Sequence, residues 1–348
     1  MRLCHVTNDS IDQMGTPPRI SIVTPSFNQA DYLEECIRSV RDQGYPGSEH
    51  IVVDGGSNDG SRTIIERHAQ SLAWWCAEAD NGQSHAINKG MARATGEVLG
   101  WINSDDLLLP GALHRVGDAF AADPSLMVLS GVRLLRAAGR HDEPMPMEHP
   151  SDRDAWLTRP RVNQQATFYR LDALRAIGGV EEGLRFVMDY ELWIQAVLRF
   201  PSAAIRIVPT ELAVFRHHAA SKTMTSQPAF VDEIASVLHG LSQQAGLTAQ
   251  AHALATGHRI TAGLRRAPVE QRDAGLVSRM AWRFMLKWHH QVYSPSEHAM
   301  MRAWIRFEPP PDFLDADELR RLGQLRDDLR QASWPLFRLR RKIKHLLG

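Results

Sequence analysis

The chain has 348 residues, and 40 lysine and arginine residues balance 40 aspartate and glutamate residues. This length allows one large domain or two modest ones, and the zero net charge excludes a global field that would attract nucleic acid. The cysteines Cys4, Cys36 and Cys76 lie far apart, which argues against a disulfide framework or a zinc motif and is typical of a reduced, cytoplasmic protein.

Residues 1–18 are predicted to be an N-terminal extension without the apolar segment of a signal peptide. No run of about 18 apolar residues follows, so no membrane-spanning helix is expected. Predicted strands lie at residues 20–24, 50–54, about 72–76 and 97–102. Predicted helices lie at 30–41, from the end of the glycine-rich loop at residue 60 to about 68, and at 84–94. Strands that alternate with helices and are almost entirely apolar predict an α/β fold with a mostly parallel sheet flanked by helices.

The second half of the chain is less regular. Residues 125–150 are expected to be irregular, and long helical patterns dominate beyond a predicted domain boundary near residue 226. Between them we predict a strand at 164–170, helices at 171–177 and 189–199, and a strand pair at 205–215. The sequence therefore predicts an α/β domain over 19–225 and a helical C-terminal region over 226–348.

Polar clusters follow three of the predicted strands, namely Phe27 and Asn28, Asp54, and the pair Asp105 and Asp106. Ligands of parallel α/β sheets bind beyond the carboxyl ends of the strands, so these clusters are expected to meet at one edge. Two adjacent carboxylates raise each other's pKa unless a positive charge lies between them, which predicts a cation or a ligand carrying one. A helix N-cap is the structural alternative for Asp106.

The glycine-rich loop after the second strand, residues 54–60, fits neither common phosphate-binding pattern. Gly55 and Gly60 have the Walker spacing, but Ser61 and Arg62 follow where lysine and serine or threonine are required, and G-x-G-x-x-G is absent. A tight strand-to-helix turn accounts for the glycines. Asp54 is left as an acceptor for a base or ribose.

Five segments in order resemble the family 2 glycosyltransferases, which have the GT-A fold. They are ISIVTPSFNQADYLEECIRSVRDQGYP, HIVVDGGSNDGS, NGQSHAINKGMARATGEVLGWINSDDLLLPGAL, QQATFYR and MDYELW. Each segment alone is weak evidence, but the five together cover about residues 19–220. The resemblance implies an inverting, metal-dependent transfer from a nucleoside-diphosphate sugar to a hydroxyl of a glycan or glycolipid acceptor, in surface polysaccharide or glycolipid synthesis, with Mn²⁺ or Mg²⁺ as cofactor.

The resemblance also implies the donor contacts. Backbone groups of Thr24 and Pro25 would meet the base, Phe27 would stack on it, and Asn88 would bind the diphosphate. The complete predicted donor set is Thr24, Pro25, Phe27, Asn28, Asp54, Asn88, Asn103, Ser104 and Asp105. A position in the hydrophobic core is the structural alternative for Phe27. Lys89, next to Asn88 on the same predicted helix, faces the same edge, and its structural alternative is a solvated side chain.

The metal ligands are predicted to be Asp105, Asp106 and His218, with Asp105 leading. Asn103 stands where relatives usually have the first acid of Asp-x-Asp, and an amide binds metal poorly. His218 belongs to FRHHAASKT, which resembles the family's R-x-H; His217 is the next match, and a surface histidine pair is the alternative. Gly55 and His85 also depart from acids that are frequent in relatives, which leaves the base of the donor open.

An inverting transfer needs a general base, and the resemblance assigns it to Asp189, with Glu191 as the second candidate. The two side chains do not share a helix face, so only one can aim at the acceptor. A helix N-cap is the structural alternative for Asp189. Gln164, Gln165 and Arg216 are predicted to line the acceptor side.

Two other functions compete with an active glycosyltransferase. A catalytically impaired sugar-nucleotide-binding partner protein is favoured only by Asn103, Gly55 and His85. A sugar-1-phosphate nucleotidyltransferase would need a glycine-rich, arginine-ended loop after the first strand, where this chain has residues 25–28, PSFN.

Residues 335–348 are predicted to form a basic amphipathic helix. Its apolar face would carry Leu336, Leu339, Ile343, Leu346 and Leu347, and its basic face Arg338, Arg341, Lys342 and Lys344. Such a helix suits an anionic membrane surface, which predicts a cytoplasmic protein peripheral to the inner membrane. Packing on its own domain, or on a second subunit of a homo-oligomer, is the alternative.

Overall fold

The computed structural model describes residues 17–147, 151–218, 227–264, 268–288, 294–307, 312–330 and 333–339. The chain divides into two compact units. The first, which we call the sheet unit, comprises residues 1–150, 162–180 and 200–218; the second, the helical unit, comprises 151–161, 181–199 and 219–348. The helical unit thus takes in two segments that precede residue 226.

The described residues of the sheet unit form nine strands: β1 (Ile20–Ser26), β2 (Ser48–Asp54), β3 (Trp74–Ala77), β4 (Val98–Trp101), β5 (Leu107–Leu108), β6 (Val128–Ala137), β7 (Glu143–Met145), β8 (Thr167–Arg170) and β9 (Ile205–His217). Their order is β3-β2-β1-β4-β8-β6-β9-β5, and β7 pairs with β6. The first four strands in this order pair in parallel, whereas β8 is antiparallel to both β4 and β6. The predicted α/β class is confirmed, and the sheet is more mixed than predicted.

The helices of the sheet unit are α1 (Ala30–Arg41), α2 (Ser61–His68), α3 (Gln83–Arg93), α4 (Ala112–Ala122) and α6 (Leu171–Ile177). They form where the apolar residues recur at helical spacing. In α1 this spacing buries Leu33, Cys36, Ile37 and Val40, and every residue of β1 is buried as well. Burial of both elements fixes the end of β1 relative to the start of α1, and the first polar cluster lies between them.

Two predictions for the second half were wrong. Residues 128–137 form a strand rather than an irregular segment, and residues 205–217 form one long strand rather than a pair. The two strands pair in parallel, with a register irregularity between Ser130 and Arg133. A Cβ on Gly131 would lie 2.5 Å from a methyl carbon of Leu212, so glycine permits this close approach. The interruption of the apolar pattern by glycine hid the strand.

The helical unit contains α5 (Arg153–Thr158), α7 (Met188–Arg199), α8 (Gln227–Gln244), α9 (Thr248–Gly257), α10 (Ala274–Trp288), α11 (Pro295–Phe307) and α12 (Ala316–Arg330). Trp193 on α7 is fully buried, and its indole N–H donates to the carbonyl of Trp156 on α5 at 2.9 Å. The two early segments therefore belong to the core of this unit. Within the described ranges, no helix combines the length and apolarity needed to cross a membrane.

Only part of the predicted C-terminal helix falls within the described residues. Residues 334–339 are helical, while residues 340–348, including the cations beyond Arg338, lie outside them. Phe337 is buried and its ring packs on His298 at a centroid distance of 4.9 Å, whereas Leu336 and Leu339 are exposed. The start of the segment therefore packs on its own unit through Phe337.

Candidate active site

The polar clusters after β1, β2 and β4 meet at one edge of the sheet. β1 pairs in parallel with β2 and with β4, and the ladder to β4 is extended by the N–H of Ile102, which donates to the carbonyl of Val23 at 3.0 Å. Parallel neighbours end at the same edge, so the residues that follow the three strands lie close together.

Asp105 and His218 come together across 113 residues of sequence. His218 Nε2 lies 3.1 Å from Asp105 Oδ2, and the two side chains keep 14% and 20% of their surface exposed. The imidazole of His218 stacks on Tyr32 of α1, with ring centroids 4.5 Å apart. An oxygen donor and a nitrogen donor are thus held together at a solvent-accessible position.

Arg216 contacts the segments that hold this pair in place. Its guanidinium donates to the carbonyl of Tyr32 at 3.0 Å and to the carbonyl of Asp105. It also contacts the carboxylate of Glu35, and it lies 5.0 Å from the centre of the Tyr32 ring. One buried side chain therefore ties α1, the loop after β4 and the end of β9 together.

Asp106 is placed differently from Asp105. It is fully buried: Oδ1 accepts the N–H of Arg216 at 3.0 Å, and Oδ2 accepts the amides of Gln165 at 2.9 Å and Asn103 at 3.4 Å. Burial, and then the adjacent charge of Asp105, raise the pKa of Asp106 to about 8, although these hydrogen bonds oppose the shift. The side chain of Asp106 therefore faces the interior of the fold and not the solvent-accessible position where Asp105 meets His218.

Asn103 and Ser104 lie in the same loop. The side chain of Asn103 accepts from Gln83 at 2.7 Å and donates to Gln164 at 3.2 Å, while Ser104 is buried. Gln164 in turn donates to the carbonyl of Trp101 at 2.7 Å. An amide network thus fixes the backbone that carries Asp105, and both predicted glutamines take part in holding this loop.

The first cluster presents an aromatic ring to solvent. Phe27 is 61% exposed, so its alternative as a core residue is excluded, whereas the Thr24 side chain is buried against His50, 2.9 Å away. Asn28 adopts φ +53 and its side chain accepts the N–H of Asn58 at 3.0 Å. Pro25 lies between them within β1, paired with β2.

Asp54 is fully buried at the end of β2. One oxygen accepts the N–H groups of Gly56 at 3.1 Å and Ser57 at 2.8 Å, and the other accepts the hydroxyl of Ser57 at 2.6 Å. The carboxylate therefore shapes its own glycine loop, as the turn interpretation of that loop expects.

Asn88 and Lys89 sit on α3 with partners in the sheet unit. The amide of Asn88 donates to the carbonyl of Val180 at 2.8 Å and accepts its N–H at 2.9 Å. A Cβ on Gly179, where φ is +73, would lie 2.7 Å from Asn88 Oδ1, so this packing requires glycine. Lys89 forms an ion pair with Glu78.

Two residues near the rim were not singled out from the sequence. Tyr32 looked like one more apolar position of α1, yet it contacts both Arg216 and His218. The carboxylate of Asp80 lies against Gly55, where a Cβ would be 3.0 Å from Asp80 Oδ2. An acid therefore stands beside Gly55, the position at which the resemblance predicts an acid, and the run Asp80-Asn81-Gly82 was the sequence signal available for it.

The predicted general bases lie in the helical unit. Asp189 is in the first turn of α7, partly exposed, and Oδ1 accepts the N–H of Tyr190 at 2.9 Å. Glu191 is buried, accepts the amide of Gln195 at 2.5 Å, and lines a cavity of about 350 Å³ within this unit. The two carboxylates point to different surroundings, as their helix positions predict.

Comparisons with known proteins identify the family. Residues 21–177 match the model of glycosyl transferase family 2. An uncharacterized glycosyltransferase of Mycobacterium tuberculosis is 32% identical over 57% of this chain and 76% of its own length. The O-antigen biosynthesis protein RfbC of Myxococcus xanthus is 27% identical over 54% of this chain and 15% of the relative.

Solved structures give the fold. S. aureus TarS residues 1–349 in complex with UDP-GlcNAc matches with a TM-score of 0.61 at 15% identity, covering 90% of this chain and 92% of that one. The mannosyltransferase PcManGT from Pyrobaculum calidifontis, in complex with GDP-Man and Mn²⁺, matches with a TM-score of 0.53 at 18% identity, covering 95% and 85%. The chain therefore belongs to glycosyltransferase family 2 and has the GT-A fold of its structural neighbours.

Proposed function

We propose that this glycosyltransferase transfers a sugar from a nucleoside-diphosphate donor to a hydroxyl acceptor by an inverting, cation-dependent displacement. The observation that carries the proposal is the Asp105–His218 pair at the carboxyl edge of the sheet. TarS and PcManGT, the structural neighbours, bind UDP-GlcNAc and GDP-Man, which supports a sugar nucleotide as donor.

The pair has the donor atoms that a divalent cation needs. Among the described residues no cluster of three or more histidine, cysteine or acidic side chains is suited to hold a metal, so diphosphate oxygens and water would complete the coordination. Asp105 Oδ2 and His218 Nε2, which lie 3.1 Å apart, would hold the cation from the protein side. A carboxylate with an imidazole favours Mn²⁺ over Mg²⁺.

We assign Asp105 and His218 as the direct ligands and Asp106 as the residue that fixes their loop. All of the hydrogen bonds to Asp106 come from within the fold, and its side chain is fully buried. A cation bound at the pair would stabilise the negative charge that develops on the leaving diphosphate. Arg216 and Tyr32 hold the loop and the imidazole in place before the donor binds.

The exposed ring of Phe27 can stack on the donor base. The carboxylate of Asp80, which lies beside Gly55, can accept a hydrogen bond from the edge of that base. Asp54 and Asn88 support this surface indirectly, since their polar atoms accept the backbone N–H groups of Ser57 and Val180. These assignments keep the predicted donor region but move the direct contacts toward the solvent-facing residues.

Asp189 takes the proton from the acceptor hydroxyl as that oxygen attacks the anomeric carbon. Its position in the first turn of α7 and its partial exposure support this role over Glu191, which is buried. The relationship to an O-antigen biosynthesis protein supports a glycan or glycolipid acceptor, and the predicted attachment of residues 335–348 to the inner membrane belongs to the same proposal.

Hydrolysis of UDP-GlcNAc and GDP-mannose to free nucleoside diphosphate, with Mn²⁺, tests the proposal. Asp105→Ala should abolish both hydrolysis and the thermal stabilisation by Mn²⁺ with nucleotide, because it removes the carboxylate ligand. Asp118→Ala, an exposed acid on α4, is the matched control and should behave like the wild type. Undiminished hydrolysis in excess EDTA would contradict cation dependence.

The base is tested by Asp189→Asn, which keeps the shape and removes the proton acceptor. A loss of about 10²–10⁴ in kcat is expected, with nucleotide binding unchanged. If Glu191→Gln loses activity while Asp189→Asn keeps it, the base is Glu191. Nucleotide binding without turnover by the wild type would instead favour the impaired partner protein.

A further inference from the structure

The segment that leads into α7 is held by one carboxylate from the C-terminal helices. Glu233 on α8 accepts the N–H of Arg185 at 2.9 Å through Oε1, and those of Phe186 at 2.8 Å and Val187 at 3.1 Å through Oε2. Three successive N–H groups therefore converge on a single side chain.

The arrangement resembles a helix cap made by a distant residue. The carbonyl of Val187 accepts the first helical bond, from the N–H of Glu191 at 2.9 Å, so Glu233 fixes the backbone at the point where α7 begins. Asp189 follows two residues later. A carboxylate at a helix N-terminus also interacts favourably with the helix dipole.

Glu233 is built into its site. Its residue is 8% exposed, and the ring of Phe186 packs near Phe230, one turn earlier on α8, at a centroid distance of 6.5 Å. Three N–H donors to a buried carboxylate form strong, charge-assisted hydrogen bonds. The neighbouring acid, Asp232, accepts instead from His258 and the N–H of Arg259, so the two adjacent acids hold different segments.

We propose that Glu233 is a positioning residue for the transfer reaction, which fixes residues 185–187 and thereby the orientation of Asp189. The inference rests on the proposed role of Asp189 as the base. It also gives the C-terminal helices a part in catalysis, although they lie outside the matched family region.

Glu233→Gln tests the inference, because the amide keeps the size of the side chain but turns one acceptor oxygen into a donor. Asp232→Asn makes the same change at the adjacent residue and is the matched control. Hydrogen exchange of the full chain should be at least about tenfold faster at residues 185–187 in Glu233→Gln than in the wild type. In Asp232→Asn, the exchange rate at these residues should equal that of the wild type. Unchanged exchange at these amides would overturn the inference.

Kinetics separates positioning from general stability. With the same sugar nucleotides and Mn²⁺, Glu233→Gln should lower kcat about tenfold or more and leave KM for the donor unchanged. A merely structural role would reduce the amount of folded enzyme, as counted by nucleotide binding, and would leave kcat per binding-competent molecule unchanged.

The two possible failures are distinguishable. If the wild type hydrolyses the donor and Glu233→Gln has the wild-type kcat, the positioning role is overturned and the proposed function stands. If the wild type does not turn over any donor, the base assignment and the catalytic role of Glu233 both fall. The exchange result still decides whether Glu233 anchors the segment.

Discussion

Replacing Arg216 by alanine should destabilise the sheet unit far more than the same change at Arg206, ten residues earlier on β9. The guanidinium of Arg216 is the hydrogen-bond donor to the carbonyls of Tyr32 and Asp105, and its side chain is 10% exposed. Arg206 pairs with Asp123 at 2.5 Å, but its side chain is 40% exposed. The pair of variants therefore compares a buried arginine with a surface one in the same strand.

The expected magnitudes follow from these contacts. Leaving two carbonyls without their charged donor costs about 1–1.5 kcal/mol each. The lost contact with the Tyr32 ring adds about 0.5–1 kcal/mol, so Arg216→Ala should cost about 3 kcal/mol. An exposed ion pair such as that of Arg206 contributes about 0.2–1 kcal/mol.

Native-state hydrogen exchange of the β1 and β9 amides measures both variants without assuming that the two units unfold together. Arg216→Ala should raise the opening equilibrium about a hundredfold, since about 1.4 kcal/mol corresponds to a factor of ten. Equal losses of less than about 1 kcal/mol in both variants would refute the reasoning.

The remaining predictions concern Phe27 and His50. Phe27→Ala should weaken nucleotide binding by about 1–3 kcal/mol, measured by calorimetry, with little change in stability because the ring is 61% exposed. Leu319→Ala, at another exposed apolar residue, should leave binding unchanged, and equal affinities of all three proteins would exclude stacking. Burial lowers the pKa of His50 to about 3, so the neutral form stabilises the fold above pH 6.5 and this stabilisation is lost as the pH falls toward 3. Urea unfolding should show a loss of about 2 kcal/mol between pH 7 and pH 5 that is absent in His50→Gln, and parallel pH dependences of the two proteins would contradict it.

The sequence predicts the sheet unit best where one local pattern decides the structure. The apolar runs that became β1, β2 and β4 are buried strands, and the polar clusters after them lie at one edge because parallel strands end together. The contact between Asp105 and His218 spans 113 residues, so no periodicity indicates it. Only the resemblance to the family suggested that these two residues serve one ligand.

What could not be predicted depends on side-chain partners distant in sequence. Helical spacing marks Tyr32 as apolar, but it does not show that the ring stacks on the histidine that follows the last strand, His218. The sequence pattern around Asn88 likewise does not indicate its partner, Val180. The backbone carbonyl and N–H of Val180 form hydrogen bonds with the nitrogen and the oxygen of the Asn88 amide. The same holds for Glu233, since an acid on an amphipathic helix gives no sign that three N–H groups of another segment converge on it.

The alternation of six segments between the two units has a consequence for how such a protein can be divided or recombined. A single crossover or a single proteolytic cut leaves at least one unit without part of its core, since residues 151–161 and 181–199 pack in the helical unit. Trp193 and its partner Trp156 would remain in the wrong half of a chimera joined near residue 226. A functional graft between relatives must therefore carry three segments together, and the helices beyond residue 226 are expected to diverge by substitution in place rather than by exchange as a block.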